Sequence, residues 1–280
     1  MSKIAVVTDS VAIIPEDLVK QYGIHVVPCH VNWDKVRYRD GVDIKARDFY
    51  KRLRKSHTLP TTSSGIMGEL SQLFEELKGK VDGIVAIMLT GGLGTAYQSA
   101  VKAKEMVHGV PIEVIDTRLA LMGEGFIVLE AAKAAKSGGT IEEVVKAARD
   151  TMAKMHVYFA LDTFEFLRRG GRVSFPKAAL ASLLRVKPIM AFVDGKVEAI
   201  KRPRTMSAAI KAMVDIMKEK VKNTPLHVSV SHADNPEGVE TLKKKIEASF
   251  TCKEMIVTEV TPIIGTHWGP GALGIAFYNE

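Results

Sequence analysis

The chain has 280 residues, of which 46% are hydrophobic and 25% charged, and its formal net charge at pH 7 is +7. This length lies between one large domain and two ordinary ones, so we expect two subdomains with enough apolar residues for a substantial core. The composition is that of a soluble globular protein. No apolar run approaches the length that crosses a bilayer, and residues 1–9 lack the apolar segment of a secretory leader.

The two cysteines, Cys29 and Cys252, lie far apart and have no metal-ligand spacing, so a reducing cytoplasm is the expected location. The basic residues form short scattered clusters, mostly on apparent helix faces or next to turns, where solvated charge is the simpler interpretation. Because no nucleic-acid-binding motif accompanies them, we expect no nucleic acid partner. A regulator that binds nucleic acid in a salt-dependent way is the alternative that the charge leaves open.

The first half of the chain alternates strand and helix patterns. Short apolar runs that predict buried strands occur at residues 3–8, 24–28, 84–89 and 112–115. Helical patterns follow, including one over residues 119–136 and one that starts at Thr140, where Thr140 and Glu143 match a capping box. This alternation predicts a parallel sheet with helices on both faces, of the Rossmann or flavodoxin-like kind, over residues 1–155.

The pattern changes after about residue 155. Strands are predicted at residues 157–161, 188–193, 197–201, 226–231, 254–260 and 272–278. Asp194-Gly195, between the second and third of these strands, predicts a tight hairpin turn. Helices are expected over residues 206–221 and 236–249. This order predicts an α+β domain with a mixed or antiparallel sheet over residues 156–280, so the fold class of the whole chain is α/β with two closely packed domains.

Two polar segments of the first half are candidate sites. Thr8-Asp9-Ser10 ends the first strand, where ligands collect in open α/β sheets, although a helix N-cap is an equal alternative. Residues 61–64 place four hydroxyl groups in front of a helix that is expected to begin near Gly65. One hydroxyl is enough for a cap, so the others are spare donors beside backbone N–H groups that favour an anion.

Residues 89–100, "LTGGLGTAYQSA", predict a glycine-rich turn between a strand and a helix. Such a turn lets the backbone approach a ligand and direct N–H groups at it. No lysine follows the glycines, so the segment is not a P-loop, and a plain tight turn is the structural alternative. Two helix starts of this kind in one domain predict an anion site.

Two further segments carry basic side chains. Arg169 and Arg172 flank a Gly-Gly turn that can orient a guanidinium over an anion, or they are solvated at a helix end. Residues 265–274, "GTHWGPGALG", formally contain G-x-G-x-x-G, but the inserted proline and the nearby chain end exclude a dinucleotide fingerprint. We expect instead a rigid turn that fixes His267 and Trp268 before the last strand, with His267 exposed to a site. No pair of histidines has metal-ligand spacing.

Taken together and in this order, these segments resemble motifs of the DegV family of bacterial fatty-acid-binding proteins. The family patterns T-D-S-T-x-D-L-P, T-S-Q-P-S, S-S-x-L-S-G-T-Y-Q-S-A, V-I-D-S, R-G-G-R-I-S and G-T-H-x-G-P-G-A correspond to residues 8–15, 62–66, 90–100, 114–117, 169–174 and 265–272. The resemblance spans essentially the whole chain, and the set is specific although each motif alone is weak.

The resemblance implies a carrier that buries one long-chain fatty acid, such as palmitate, and that is not itself an enzyme. The carboxylate contacts that it implies are Thr62, Ser63, the backbone of Gly94, Thr95 and His267, with Arg169 or Arg172 in support. No catalytic residue, metal or cofactor is expected. The resemblance also implies a separate fatty acid kinase as partner, in phospholipid metabolism, and no stable membrane anchor.

Two departures from the family patterns concern the head group. The serine of L-S-G-T is Gly94 here, so a hydroxyl donor is missing and the backbone N–H remains. The Gln-Pro of T-S-Q-P-S is Ser64-Gly65, which predicts a looser loop.

The physical chemistry of a fatty acid agrees with the resemblance. A buried acyl chain gains about 0.8 kcal/mol per methylene, whereas its carboxylate must be paired when it leaves water. Hydroxyl groups, helix-start N–H groups and an imidazole meet that need without a metal. The alternative function is a small-molecule, phosphate-handling enzyme, in which residues 91–95 hold a phosphate and His267 acts as general base or phosphoryl acceptor.

Overall fold

The computed structural model describes residues 2–173, 185–221 and 224–279. Its strands are β1 (Ile4–Asp9), β2 (His25–Val27), β3 (His30–Trp33), β4 (Val36–Arg39), β5 (Thr61–Ser63), β6 (Gly83–Met88), β7 (Ile112–Asp116), β8 (His156–Ala160), β9 (Ile189–Val193), β10 (Lys196–Lys201), β11 (Leu226–His232), β12 (Cys252–Glu259) and β13 (Leu273–Asn279). Its helices are α1 (Glu16–Tyr22), α2 (Ala46–Leu53), α3 (Met67–Leu77), α4 (Ala96–Met106), α5 (Leu121–Lys136), α6 (Ile141–Lys154), α7 (Glu165–Arg169), α8 (Met206–Lys220), α9 (Pro236–Glu247) and α10 (Pro262–Trp268).

The first half forms the predicted parallel sheet, with the strand order β2-β1-β6-β7 and every neighbouring pair parallel. All six residues of β6 are buried, so buried and exposed side chains do not alternate along this strand. The reason is that helices, and not water, cover the sheet. Helix α5 packs against β1, and α4 packs against β7. Helix α6 begins at the expected capping box, in which the Glu143 carboxylate accepts the Thr140 N–H at 2.8 Å.

A second, three-stranded antiparallel sheet with the order β4-β3-β5 was not predicted. Its hairpin turns at Asp34 and Lys35, both with positive φ (48° and 66°), a turn that glycine or asparagine usually marks. Residues 61–63, which were expected to form a loop, are strand β5 of this sheet, with Thr62 opposite Val31. In a strand alternate side chains share a face, so residues 61 and 63 point to one side of β5 and residue 62 points to the other.

The second half forms the mixed sheet that the sequence predicts, and its six described strands have the order β10-β9-β8-β13-β11-β12, which was not predicted. Among the described strands of this sheet, β11 and β12 pair in parallel and the other neighbouring pairs are antiparallel. The hairpin between β9 and β10 turns at Asp194 and Gly195, whose φ angles are 48° and 77°. The last strand, β13, lies between β8 and β11, so the apolar run near the end of the chain is a central strand rather than a tail.

Helix α10 replaces the rigid turn that was expected around His267. The helix starts after Thr261, which has an extended conformation, and its first residue is Pro262. Proline is common at this position of a helix. Gly269 ends it with a φ of 67°. Although α10 comes late in the chain, it packs against α2, β3 and β5 of the first half. His267 is therefore held on a helix between the two halves.

All strands before residue 155 belong to the four-stranded and three-stranded sheets, and all strands described after it belong to the six-stranded sheet. The division into domains at residues 155 and 156 is consistent with this separation and stays a prediction. One apolar core joins the halves, since Val7 and Leu121 belong to the same cluster of buried side chains as Phe159 and Trp268. In the described part of the chain, no helix has both the length and the apolar composition needed to cross a membrane.

Candidate ligand-binding site

A cavity lies beside the carboxyl ends of β1 and β6, bounded by residues that follow these strands. In the parallel sheet β1 has β2 on one side and β6 on the other, which makes this edge the point where the strand order reverses, a common ligand site of open α/β sheets. The space between its walls amounts to about 600 Å³ when the open mouth is counted. Its lining residues are Val11, Thr62, Ser64, Leu89, Leu93, Ala120, Leu121, Phe159, Leu167, Arg172, Phe192, Val197, Ile263, Ile264, His267 and Trp268.

The wall of the cavity is apolar and comes from both halves of the chain. Leu89 and Leu121 belong to the first half, whereas Phe192 of β9 and Trp268 of α10 belong to the second. The Trp268 ring stacks on Phe159 with 4.8 Å between ring centroids, which fixes one side of the wall. Such a surface gains free energy when it covers an apolar ligand.

Three polar side chains on this wall, Thr62, Arg172 and His267, form what we call the polar cluster. The Thr62 Oγ1 lies 2.8 Å from the His267 Nε2. The Arg172 Nη2 donates to the same Thr62 oxygen at 3.3 Å, and its Nη1 donates to the Gly170 carbonyl oxygen at 2.7 Å. Residues more than 100 positions apart thus meet in one hydrogen-bonded chain.

His267 is neutral at physiological pH. Burial, and secondarily the positive charge of Arg172, lower the pKa of its imidazole to about 3. The Nδ1 atom is buried and has no hydrogen-bond partner in the described parts of the chain. A Cβ on Gly170 would stand only 2.1 Å from this atom, so the first glycine of the predicted Gly-Gly turn is required for the imidazole to fit.

Arg172 carries a half-buried positive charge beside the apolar wall. Burial lowers the pKa of its guanidinium, which nevertheless stays charged. Among the ion pairs of the described residues, none includes Arg172. Arg169, by contrast, lies on the exposed side of α7, where its Nη2 is 2.5 Å from the Glu165 carboxylate, and it does not line the cavity. Ser174, the last residue of this motif, lies outside the described residues.

Of the four hydroxyl residues at positions 61–64, Thr62 and Ser64 line the cavity. Thr62 was predicted as a contact, whereas the other predicted contact, Ser63, does not line it. Successive side chains of a strand point to opposite faces, so β5 and its continuation place residues 62 and 64 on one side. The Ser63 Oγ instead accepts the Gly65 N–H at 3.5 Å. In the sequence Ser64 is one of four candidate hydroxyls and is not among the implied carboxylate contacts, because the segment was expected to be a loop. The alternation of side chains along a strand would have selected it.

The glycine-rich loop, residues 89–95, lines the cavity through Leu89 and Leu93, whereas the predicted contacts Gly94 and Thr95 are not among the lining residues. The Thr95 N–H donates to the Ser64 Oγ at 2.9 Å, and the exposed Thr95 side chain does not line the cavity. The Gly94 N–H donates to no described residue. The Gly94 N–H is therefore a free main-chain donor, whereas the Thr95 amide is already bonded. The contact between Gly94 and a carboxylate that the resemblance implies stays a prediction.

The glycines at 91 and 92 serve the fold rather than an anion. The Gly91 N–H donates to the Asp116 carboxylate at 3.3 Å, and the Gly92 N–H donates to the Thr90 hydroxyl at 3.2 Å. The Thr90 hydroxyl in turn donates to the carbonyl oxygen of Gly195, at 2.9 Å, in the β9–β10 turn. This loop therefore contacts the hairpin, and its Gly91 and Gly92 amides are already bonded and not free to hold a phosphate.

Thr8-Asp9-Ser10 is likewise structural. The two carboxylate oxygens of Asp9 accept the N–H groups of Val11 and Leu89, each at 2.9 Å, which ties the ends of β1 and β6 together. Burial raises the pKa of Asp9 to about 6, and Asp9 does not line the cavity. In the described residues, no group of three or more His, Cys, Asp or Glu side chains is arranged to hold a metal ion.

Fold and site together define a two-part α/β protein that encloses an apolar cavity with a positively charged, hydrogen-bonded polar cluster on its wall. A family model described as "Uncharacterised protein, DegV family" matches residues 3–280. The chain belongs to this DegV family, which confirms the resemblance found in the sequence motifs.

Relatives and solved structures match over nearly the full length. A DegV domain-containing protein of Caldanaerobacter subterraneus subsp. tengcongensis is 38% identical over 281 residues, all of both chains. DegV of Bacillus subtilis, whose crystal structure is described as that of a fatty acid binding protein, has a TM-score of 0.92 with 33% identity and full coverage of both chains. A DegV family protein from Thermus thermophilus, described for its fatty acid binding, has a TM-score of 0.93 with 28% identity and full coverage of both.

Proposed function

We propose that the protein binds one long-chain fatty acid, with its carboxylate at the polar cluster and its acyl chain along the apolar wall. The observation that carries this proposal is the half-buried Arg172 guanidinium, which faces an apolar cavity and has no acidic partner among the described residues. An anion with a long apolar body satisfies both features. Relatives of similar fold that are described as fatty acid binding proteins support the assignment.

The two ends of a fatty acid make opposite demands that this site meets. Each buried methylene contributes about 0.8 kcal/mol, so a long chain supplies the affinity. The carboxylate loses hydration on entering the cavity and needs charged or polar partners. We assign these partners to the Arg172 guanidinium, the Thr62 hydroxyl, the His267 imidazole and the free N–H of Gly94.

A neutral His267 suits this role because it adds a hydrogen bond without a second buried positive charge. Its Nε2 already contacts the Thr62 hydroxyl, so the pair can orient that hydroxyl toward a ligand oxygen. A carboxylate next to the imidazole would also raise the low pKa of His267, since an opposite charge favours the protonated form. Fatty acid binding is therefore expected to be accompanied by tighter proton binding at this residue.

The proposal extends to the role of the complex. We infer that the protein acts in the cytoplasm as a carrier without a cofactor, and that it presents its fatty acid to a separate fatty acid kinase, as the family resemblance implies. A loaded protein incubated with ATP is expected to form acyl phosphate only when such a kinase is added. Acyl phosphate formed by the carrier alone would contradict the carrier role.

The direct test is to identify what the protein holds. Protein purified from a bacterial host is denatured and extracted, and the extract is quantified by mass spectrometry against the protein concentration. We expect close to one long-chain fatty acid per chain. Repeated recovery of trace lipid alone, from protein that is folded by circular dichroism, would refute the proposal.

A further inference from the structure

Two residues from different loops, Ser64 on the wall of the cavity and Gly94 beside it, compete for one position. A Cβ built on Gly94 would lie 2.4 Å from the Ser64 Oγ, closer than real Cβ atoms come to any neighbour. The same Cβ would lie 3.0 Å from Leu89 Cδ2, the flexible end of a side chain, and 3.4 Å from the Ser64 Cβ. The hydroxyl of Ser64 is therefore the group that excludes a side chain at residue 94.

The Ser64 hydroxyl is held with its proton available. Its oxygen accepts the Thr95 N–H at 2.9 Å, just before the first residue of α4. A hydroxyl that accepts one hydrogen bond can still donate its own proton, and no described residue accepts that proton. Ser64, the first residue after β5, also lines the same cavity as Thr62 of that strand. A fixed hydroxyl that borders a cavity and has an unused proton is a ready donor for an anion.

We propose that Ser64 donates its hydroxyl proton to the carboxylate of the bound fatty acid, and that residue 94 must be glycine for Ser64 to hold this position. The inference rests on the proposed function and adds to it a specificity-determining residue that is not among the carboxylate contacts implied by the family resemblance. A hydrogen bond from a hydroxyl to an ionised carboxylate is stronger than one to a neutral group, so Ser64 favours the acid over the alcohol of equal chain length.

The test uses three variants, Ser64→Ala, Gly94→Ser and the combined variant, with palmitate and hexadecanol as ligands. Ser64→Ala is expected to weaken palmitate binding about tenfold or more and hexadecanol binding by less than about threefold, since only palmitate presents a charged acceptor. Gly94→Ser alone is expected to lower both the thermal midpoint and the palmitate affinity, because its Cβ meets the Ser64 Oγ. The combined variant supplies the hydroxyl from residue 94 and is expected to recover both quantities relative to Gly94→Ser.

The outcomes separate the inference from the function on which it rests. If the unmodified protein binds no fatty acid, the proposed function fails. If the unmodified protein binds palmitate and Ser64→Ala leaves the ratio of palmitate to hexadecanol affinity unchanged, the role of Ser64 is refuted. Thermal unfolding of ligand-free variants tests the steric half independently, since a Gly94→Ser midpoint no lower than that of the combined variant would show that the two positions do not compete.

Discussion

Substitution of Asp40 by asparagine is expected to stabilise the protein at neutral pH. Asp40 is 2% exposed, and its Oδ1 accepts the N–H of Ile263 in the first turn of α10, the helix that carries His267. Its Oδ2 is buried and lies outside hydrogen-bond distance of the other described residues, and the nearby Ser10 and Thr261 hydroxyls only partly offset the effect of burial on its pKa. Burial therefore raises the pKa of Asp40 from 3.8 to about 6, which means that the ionised form is disfavoured in the folded state.

The magnitude and its sign follow from that pKa. A rise from 3.8 to about 6 corresponds to roughly 3 kcal/mol, since one pKa unit is worth about 1.4 kcal/mol. Above pH 6 the carboxylate is ionised in both states and folding bears this cost in full. As the pH falls from about 6 to about 4 the folded state takes up a proton before the unfolded state does, so the cost disappears. Asp40→Asn removes it at every pH.

Urea unfolding at pH 7.5, 6, 5 and 4 measures the difference in the free energy of unfolding between the variant and the unmodified protein. We expect Asp40→Asn to be more stable at pH 7.5, by up to roughly 3 kcal/mol, and the difference to approach zero near pH 4. Asp43→Asn is the matched control, because the exposed Asp43 is paired with Arg39, which lowers its pKa to about 2, so its loss should destabilise at pH 7.5. A clear loss of stability in Asp40→Asn at pH 7.5 would refute the reasoning.

Two further predictions concern the polar cluster. Thr62→Val is expected to weaken palmitate binding about tenfold or more, because it removes the hydroxyl that contacts His267. The control, Thr241→Val on the exposed face of α9, should leave the affinity unchanged. An equal effect of both variants in a fluorescence displacement assay would contradict the site. Gly170→Ala is expected to displace the imidazole of His267, since its Cβ would stand 2.1 Å from Nδ1, and so to lower both the thermal midpoint and the palmitate affinity. Gly68→Ala in α3, where a Cβ meets nothing within 4 Å, is the control, and equal behaviour of the two variants would show that the contact is unimportant.

Much of the fold was accessible from the sequence because its signals are local. The uninterrupted apolar runs indicated buried parallel strands, and Asp194-Gly195 indicated the hairpin turn that the structure shows. The small sheet was missed because its strands are only three or four residues long and its turn, Asp34-Lys35, lacks glycine. Helix α10 was missed because a glycine such as Gly265 is unfavourable inside a helix. In the structure this glycine is needed, since a Cβ at residue 265 would lie 2.7 Å from the Phe49 and Tyr50 side chains.

The candidate site was predictable to the level of its segments but not of its side chains. The motifs brought Thr62, Arg172 and His267 into consideration, and the structure places them in one hydrogen-bonded cluster. Which arginine faces the cavity depends on the rotation of α7 and the turn after it, which no local pattern encodes. The two departures from the family patterns, Gly94 and Ser64, seemed independent in the sequence, whereas in the structure they occupy adjoining space.

The central claim is that Arg172 neutralises the carboxylate of a fatty acid held in this cavity. Titration of delipidated protein with palmitate by isothermal calorimetry tests it most directly, comparing the unmodified chain with Arg172→Gln and Arg169→Gln. The two arginines are three residues apart, but only Arg172 lines the cavity. We predict binding of one palmitate per chain, a loss of affinity of at least about tenfold in Arg172→Gln, and an unchanged affinity in Arg169→Gln. Absence of binding to the unmodified protein, or an equal loss in both variants, would contradict the claim.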